Sequence, residues 1–155
     1  MPMDKRFEQF VNSLAPKYAE LMGMTPVRVD SLPKSMPNSG VYLFSEGDLD
    51  LYAGRTRRLR RRLIEHSHLK ILDAPFAFRL ARETVGKVKA SYTPLDSRKA
   101  LLADPTFRQA RLDACERIRH MDIRYVEMRE PVAQTLLEIY AAVATGAPYN
   151  DFKTS

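Results

Sequence analysis

GVYLFSEGDLDLYAGRTRRLRRRLIEH, residues Gly40 to His66, is the stretch whose reading decides the fold. Val41, Tyr42, Leu43 and Phe44 carry the β-branched and aromatic content of a strand, and Leu51-Tyr52 with its neighbours carries a second. Glu46-Gly47-Asp48 between them is a turn, because glycine accepts positive φ and the acids stay hydrated. Gly54 lets the backbone leave the second strand tightly. The pattern predicts strands over Gly40–Phe44 and Asp50–Ala53. Thr56 is the expected N-cap of a helix that buries Leu59 and Leu63, four residues apart.

Charge distinguishes that helix. Arg55, Arg57, Arg58, Arg60, Arg61 and Arg62 stand together with no acid among them. Arg55, Arg57 and Arg58 are expected at the helix start, where the macrodipole already favours anions, and phosphate is the usual anion at such a place. Arg58, Arg62 and His66 recur every four residues and share one expected helix face. A solvated basic face is the plainer reading. The density of arginine favours a phosphate surface, with Arg55, Arg57, Arg58 and Arg61 as its candidate contacts.

Upstream, Asp4–Met22 has Phe7, Phe10, Val11, Leu14, Tyr18 and Leu21 at helical spacing. Pro16 predicts a kink or two shorter helices, and Gly23 a stop. The apolar stripe is expected to pack on the main domain; a partner protein or a second copy is the alternative occupant. Thr25–Asn38 is a Pro- and Ser-rich connector with a short strand expected at Val27–Val29. Residues 1–38 thus form an N-terminal helix and connector, and 39–155 the main domain.

Downstream, Asp73 with Pro75 predicts a helix through Phe76, Phe78, Leu80 and Arg82, on which Arg79 and Arg82 would extend the basic surface. Gly86–Ser97 reads as a loop whose Tyr92 could stack on a base. A short helix is expected over Ser97–Ala103. Asp104-Pro105 opens another with Phe107, Ala110, Ala114, Ile118 and Met121 as its buried stripe. Cys115 borders that stripe as a small core residue, and His120 closes the helix. Asp122–Met128 alternates as a third strand, and Pro131 to about Thr145 is the last helix, stopped by Gly146.

Glu138 interrupts the run Leu136, Leu137, Ile139, Tyr140, Ala141, Ala142, Val143, Ala144. A helix this apolar predicts packing on several sides, so its carboxylate needs a cation. An ion pair with an arginine of the basic helix and a hard-metal site are evenly matched on these grounds.

These residues in this order resemble the GIY-YIG nuclease family. The first family element is matched by Gly40-Val41-Tyr42 and the second by Tyr52-Ala53-Gly54, with Ala53 where isoleucine is usual. Arg62-Leu63-Ile64-Glu65-His66 matches the helix bearing Arg and His, and Glu138 with Pro148-Tyr149-Asn150 matches the late Glu helix and its ending. The interval from His66 to Glu138 is longer than a minimal domain has. The resemblance covers Gly40 to Asn150. It implies an α/β (α+β) fold, a small three-stranded antiparallel sheet flanked by helices, with extra helices at the N-terminus and before the third strand. It implies Tyr42 as general base or its orienter and Tyr52 as a positioning group. Arg62 would stabilise charge, and His66 would be a second acid/base or would orient Tyr42. Glu138 would hold one Mg²⁺ or Mn²⁺ ion, and Gly40, Gly54 and Asn150 would be structural.

The chain's 155 residues suffice for a core, and a net charge of +6 favours polyanionic partners. No apolar run approaches the roughly 20 residues that span a bilayer. A lone cysteine and the lack of a leader-like start predict a cytoplasmic protein without a membrane partner. The expected function is a metal-dependent endonuclease hydrolysing DNA phosphodiesters, structure-selective or nonspecific since no sequence-reading module is visible. The alternative is a nucleic-acid-binding module on the same fold with weak or no catalysis. RNA in place of DNA differs only in the sugar contacted.

Overall fold

The computed structural model describes residues 1–86 and 98–153. The Gly86–Ser97 segment lies outside them from residue 87 onward, Tyr92 included. In order, the elements are α1 (Lys5–Gly23), a 3₁₀ turn (Val29–Ser31), β1 (Gly40–Glu46), β2 (Leu49–Thr56) and α2 (Leu59–Glu65). Then follow α3 (Pro75–Thr84), α4 (Arg98–Ala103), α5 (Pro105–Arg119), β3 (Asp122–Glu127) and α6 (Pro131–Thr145). The class is α+β, with six helices among the described residues and an antiparallel sheet ordered β2-β1-β3.

The chain divides into two compact units, with divisions after Arg62 and after His120. The first unit holds the sheet, α1 and α6; the second spans Leu63–His120. α2 crosses the boundary.

In the first unit, β1 is central because its residues are apolar on both faces, buried from Gly40 through Ser45. β1 and β2 join through a turn at Gly47, whose φ of 60° suits glycine. The strands run further than expected, since Gly40 pairs with Thr56 and Glu46 with Leu49, across a bulge between Phe44 and Ser45. Val41, Leu43 and Ala53 face α1 and α6, forming a core with Leu14, Leu21, Val126, Leu137 and Ala141. Burial of such side chains contributes about 1.5–3 kcal/mol each.

Several expectations change here for identifiable reasons. α1 is one continuous helix with Pro16 inside it, capped by Asp4, which accepts from the Phe7 N–H at 2.9 Å. Proline removes one helical hydrogen bond, and the buried Leu14 and Leu21 on either side of it keep the helix in one piece. Val27 forms only an isolated bridge, exchanging both backbone bonds with Ile123 at the outer edge of β3. Thr56 is not a helix cap: it ends β2, its hydroxyl accepts from the Arg58 N–H, and α2 begins at Leu59. Strand pairing with Gly40 claims Thr56 before the helix can. α6 does pack on several sides, against α1, β1 and β2, while Val132, Ile139 and Val143 are exposed. Its start is capped by Glu130, accepting from the Ala133 N–H at 2.6 Å, and its end by Gly146 in the left-handed region.

In the second unit, Phe78, Ala81, Leu101, Phe107 and Ala110 form the core shared by α3, α4 and α5. Phe78 and Phe107 stack with centroids 6.0 Å apart. Ala74, not Asp73, occupies the N-cap of α3 and Pro75 follows it. Asp104 precedes Pro105 as expected, although its side chain caps nothing. Arg82 is not a surface cation, being only 4% exposed with its guanidinium over the Phe78 ring. No helix among the described residues is long and apolar enough to cross a membrane.

Candidate active site

Strand parity builds the site. Tyr42 lies opposite Gly54, and Phe44 opposite Tyr52, so the two tyrosines share one face of the sheet. Their rings are 6.5 Å apart, and Phe44 meets Tyr42 edge-on at 5.8 Å. The signature glycines have steric causes. A Cβ on Gly54 would overlap Cζ and the hydroxyl of Tyr42, so glycine is what allows the phenol to lie across β2. A Cβ on Gly40 would overlap the Val126 carbonyl of β3. Gly54→Ala is therefore expected to destabilise the protein by roughly 1–3 kcal/mol by forcing the Tyr42 ring aside. Chemical denaturation measures this, and an unchanged midpoint would show that the phenol moves freely.

Tyr42 is 1% exposed and Tyr52 9%. Burial pushes the Tyr42 phenol well above its ordinary value, and Tyr52 adds to the rise. Arg62 pulls it down through charge and a side-chain hydrogen bond without cancelling the burial, while Glu138 pushes it up again. The phenol therefore keeps its proton at neutral pH, and the arginine that binds it comes from α2.

Glu138 reaches the site from α6. Its carboxylate accepts a hydrogen bond from the Arg55 backbone N–H, and Arg55 Nε stands 3.9 Å from Oε1. The pairing arginine thus belongs to β2 and not to the basic helix. Burial raises the Glu138 pKa, and the Arg55 charge and N–H oppose this without overcoming it. The Glu138 side chain is 28% exposed, so a hydrated cation can reach its carboxylate beside Arg55. One carboxylate completed by waters and phosphate oxygens is a donor set that Mg²⁺ uses, so Glu138 fits the expected cation. Among the described residues no group of three or more His, Cys, Asp or Glu is gathered around one point.

The outer edge of β2 is closed by the same elements. The Tyr149 N–H donates to the Leu51 carbonyl at 3.1 Å. The Asn150 amide accepts from the Ala53 N–H at 2.8 Å and donates to the Ala53 carbonyl at 2.7 Å. Asn150 thus pairs with the strand as another backbone would, and satisfies an edge that otherwise invites association. Two residues further on, the Arg55 N–H turns to Glu138.

The arginines separate into different tasks. Arg57, Arg58 and Arg61 are exposed. The side chains of Arg57 and Arg58 have no partner among the described residues. Arg60 is diverted: its guanidinium donates to the carbonyls of Pro33 and Lys34 and fastens the connector. His66 lies in the second unit, fully buried with its ring edge-on to Phe76 at 6.4 Å. It follows the end of α2, so Arg58, Arg62 and His66 do not form one exposed face. As placed, His66 presents no surface to a substrate.

Sequence reasoning missed Gln134. Its amide is buried on α6 one turn before Glu138 and donates to the carbonyls of Met128 at 2.8 Å and Thr56 at 3.4 Å. It fixes the end of β2 where Arg55 leaves toward Glu138. The four-residue spacing from Glu138 was the available signal. The structure thus brings Tyr42, Tyr52, Arg55, Arg62 and Glu138 into one unit and leaves His66 in the other. No protein-family model matches the chain, and neither a curated protein nor a solved structure matches it.

Proposed function

We propose that the chain is a metal-dependent DNA endonuclease of GIY-YIG type. The observation that carries this reading is the meeting of Tyr42, Tyr52, Arg62 and Glu138, with exposed Arg57 and Arg58 guanidiniums, without a partner among the described residues, between Tyr52 and Arg62 in the chain. In this reading Arg57, Arg58 and Arg61 hold the phosphodiester backbone, which makes binding strongly salt-dependent. Arg62 forks onto the phosphate under attack and stabilises the charge that develops there. Tyr42, with its proton retained, orients Arg62 and the attacking water and does not serve as an ionised base. Tyr52, at the rim of the same face, positions the phosphate. A divalent cation on Glu138, Mg²⁺ or Mn²⁺, would supply Lewis-acid stabilisation of the leaving oxygen. The lone Cys115 is buried, which suits a reducing cytoplasm.

A binding module without strong catalysis is the second reading, favoured by the protonated Tyr42 and the enclosed His66. Cleavage of supercoiled, single-stranded and branched DNA, with Mg²⁺ or Mn²⁺ and with chelator, separates the two. Metal-dependent nicking is expected. Salt-sensitive binding with no cleavage of any of the three would leave the binding module.

A further inference from the structure

A polar groove of about 540 Å³ opens at the outer edge of β3, lined chiefly by Glu20, Ser35, Asn38, Tyr125, Glu127 and Arg129. All of these belong to the first unit. Tyr125 is the register partner of Tyr42, so its side chain leaves the same face of the sheet from the neighbouring strand. The Tyr42 phenol leans over Gly54 on β2, which leaves the β3 side of that face to Tyr125. The groove also adjoins the basic segment. The Asn38 carbonyl accepts from the Leu59 N–H at the start of α2, and Arg60 grips the carbonyls of Pro33 and Lys34 just upstream.

The lining chemistry selects against a phosphate. Glu20 and Glu127 place two carboxylates in the groove, Glu20 paired at the surface with Lys17 at 3.6 Å and Glu127, among the described residues, with Arg129 at 3.4 Å. A backbone held by Arg57 and Arg58 would stay outside. What can turn inward from it is a base, whose face stacks on an aromatic ring and whose amino and imino hydrogens suit carboxylate acceptors. A volume of this size holds one nucleoside.

We propose that this groove takes an unpaired nucleobase bearing an amino group, guanine above all, from the nucleotide flanking the phosphate at Tyr42. Tyr125 stacks on it, and Glu127 accepts from its N1–H and N2–H. The proposal rests on the nucleic-acid reading above and gives the enzyme a preference for flaps, gaps and single strands over intact duplex.

The test is fluorescence anisotropy in chelator with the full chain and three labelled ligands. These are a twelve-residue thymidine strand, the same strand with one central guanine, and a blunt duplex. The guanine strand is expected to bind roughly tenfold tighter than the all-thymidine strand. Tyr125→Ser and Glu127→Gln should each erase that difference, Tyr125→Phe should keep it, and none should alter duplex affinity. Arg57→Ala with Arg58→Ala should weaken all three ligands and flatten their salt dependence. Equal affinity for the two strands in the wild type, or a difference that survives Tyr125→Ser, overturns the base site. If the arginine variant still weakens every ligand, the nucleic-acid reading stands without it. Failure of all three ligands to bind at low salt overturns both.

Discussion

Glu138→Gln is expected to reduce metal-dependent DNA cleavage by on the order of a thousandfold, the scale of a lost Lewis-acid contribution of several kcal/mol. Glutamine keeps the size of the side chain and an oxygen to accept the Arg55 N–H, so the geometry at the end of β2 survives. What disappears is the charge. Folding should not suffer. Burial raises the Glu138 pKa by more than Arg55 lowers it, so the ionised carboxylate is a net cost to the folded state near neutral pH. That cost fades as pH falls through the raised folded-state value, where the proton neutralises it. The glutamine variant should therefore be as stable as the wild type at pH 7 or more so, and its stability should depend less on acid. Binding of Mn²⁺, followed by electron paramagnetic resonance in the absence of DNA, supplies a readout independent of turnover. It should be lost in the variant, and in the wild type it should weaken on acidification sooner than for an ordinary glutamate. Duplex affinity in chelator should change little. Cleavage that persists in Glu138→Gln with its metal dependence intact would remove Glu138 from the site and leave the Arg55 pair as its whole role.

The parts of this arrangement that were legible in the sequence are those set by local rules. β-Branched and aromatic content placed β1 and β2, whereas Gly54, expected at a tight exit from the second strand, lies inside β2, where a Cβ would overlap the Tyr42 phenol. The late carboxylate in an apolar helix announced a charge that needs a partner. What stayed hidden depends on contacts between distant segments. Six adjacent arginines look alike in sequence, yet Arg60 is spent on carbonyls about 26 residues upstream, Arg62 on a strand tyrosine, and Arg57 and Arg58 on neither. The helix cap at Thr56 was lost because a strand partner, Gly40, competes for the same residue. The exposed face of α6 was equally hidden, since an apolar helix gives no sign of which side its neighbours will leave uncovered. Buried arginines defeat the hydropathy pattern altogether, because charge predicts exposure and a guanidinium goes inside only when carbonyls or rings are waiting for it.

Arg111 is the extreme case, and its removal is expected to have the largest effect on stability. It sits on α5, is fully buried, and its guanidinium lies 4.8 Å from the centre of the Phe78 ring. Nη2 donates to the carbonyls of His68 at 3.1 Å and Ile71 at 3.2 Å, and Nη1 donates to the Cys115 sulfur. Among the described residues its Nε has no partner. Burial and the nearby Arg98, whose guanidinium lies over the same ring, lower its pKa, and Cys115 opposes this. Two effects compete on substitution. Deleting the charge relieves its desolvation cost. It also leaves two carbonyls without donors, at about 1–3 kcal/mol each, and empties the space over Phe78. The carbonyl and cavity costs together are the larger, so Arg111→Ala should destabilise by about 4 kcal/mol. Arg111→Met refills the space without restoring the donors, and should recover about half of that loss. Hydrogen exchange can localise the effect: amides of residues 98–120 should lose protection in both variants, while those of β1 and β2 keep theirs. Equal stability of the methionine variant and the wild type would show that the carbonyl bonds only offset the cost of burying the charge. Arg111 would then hold the turn at His68–Ile71 in place without adding to the stability of the helices around it.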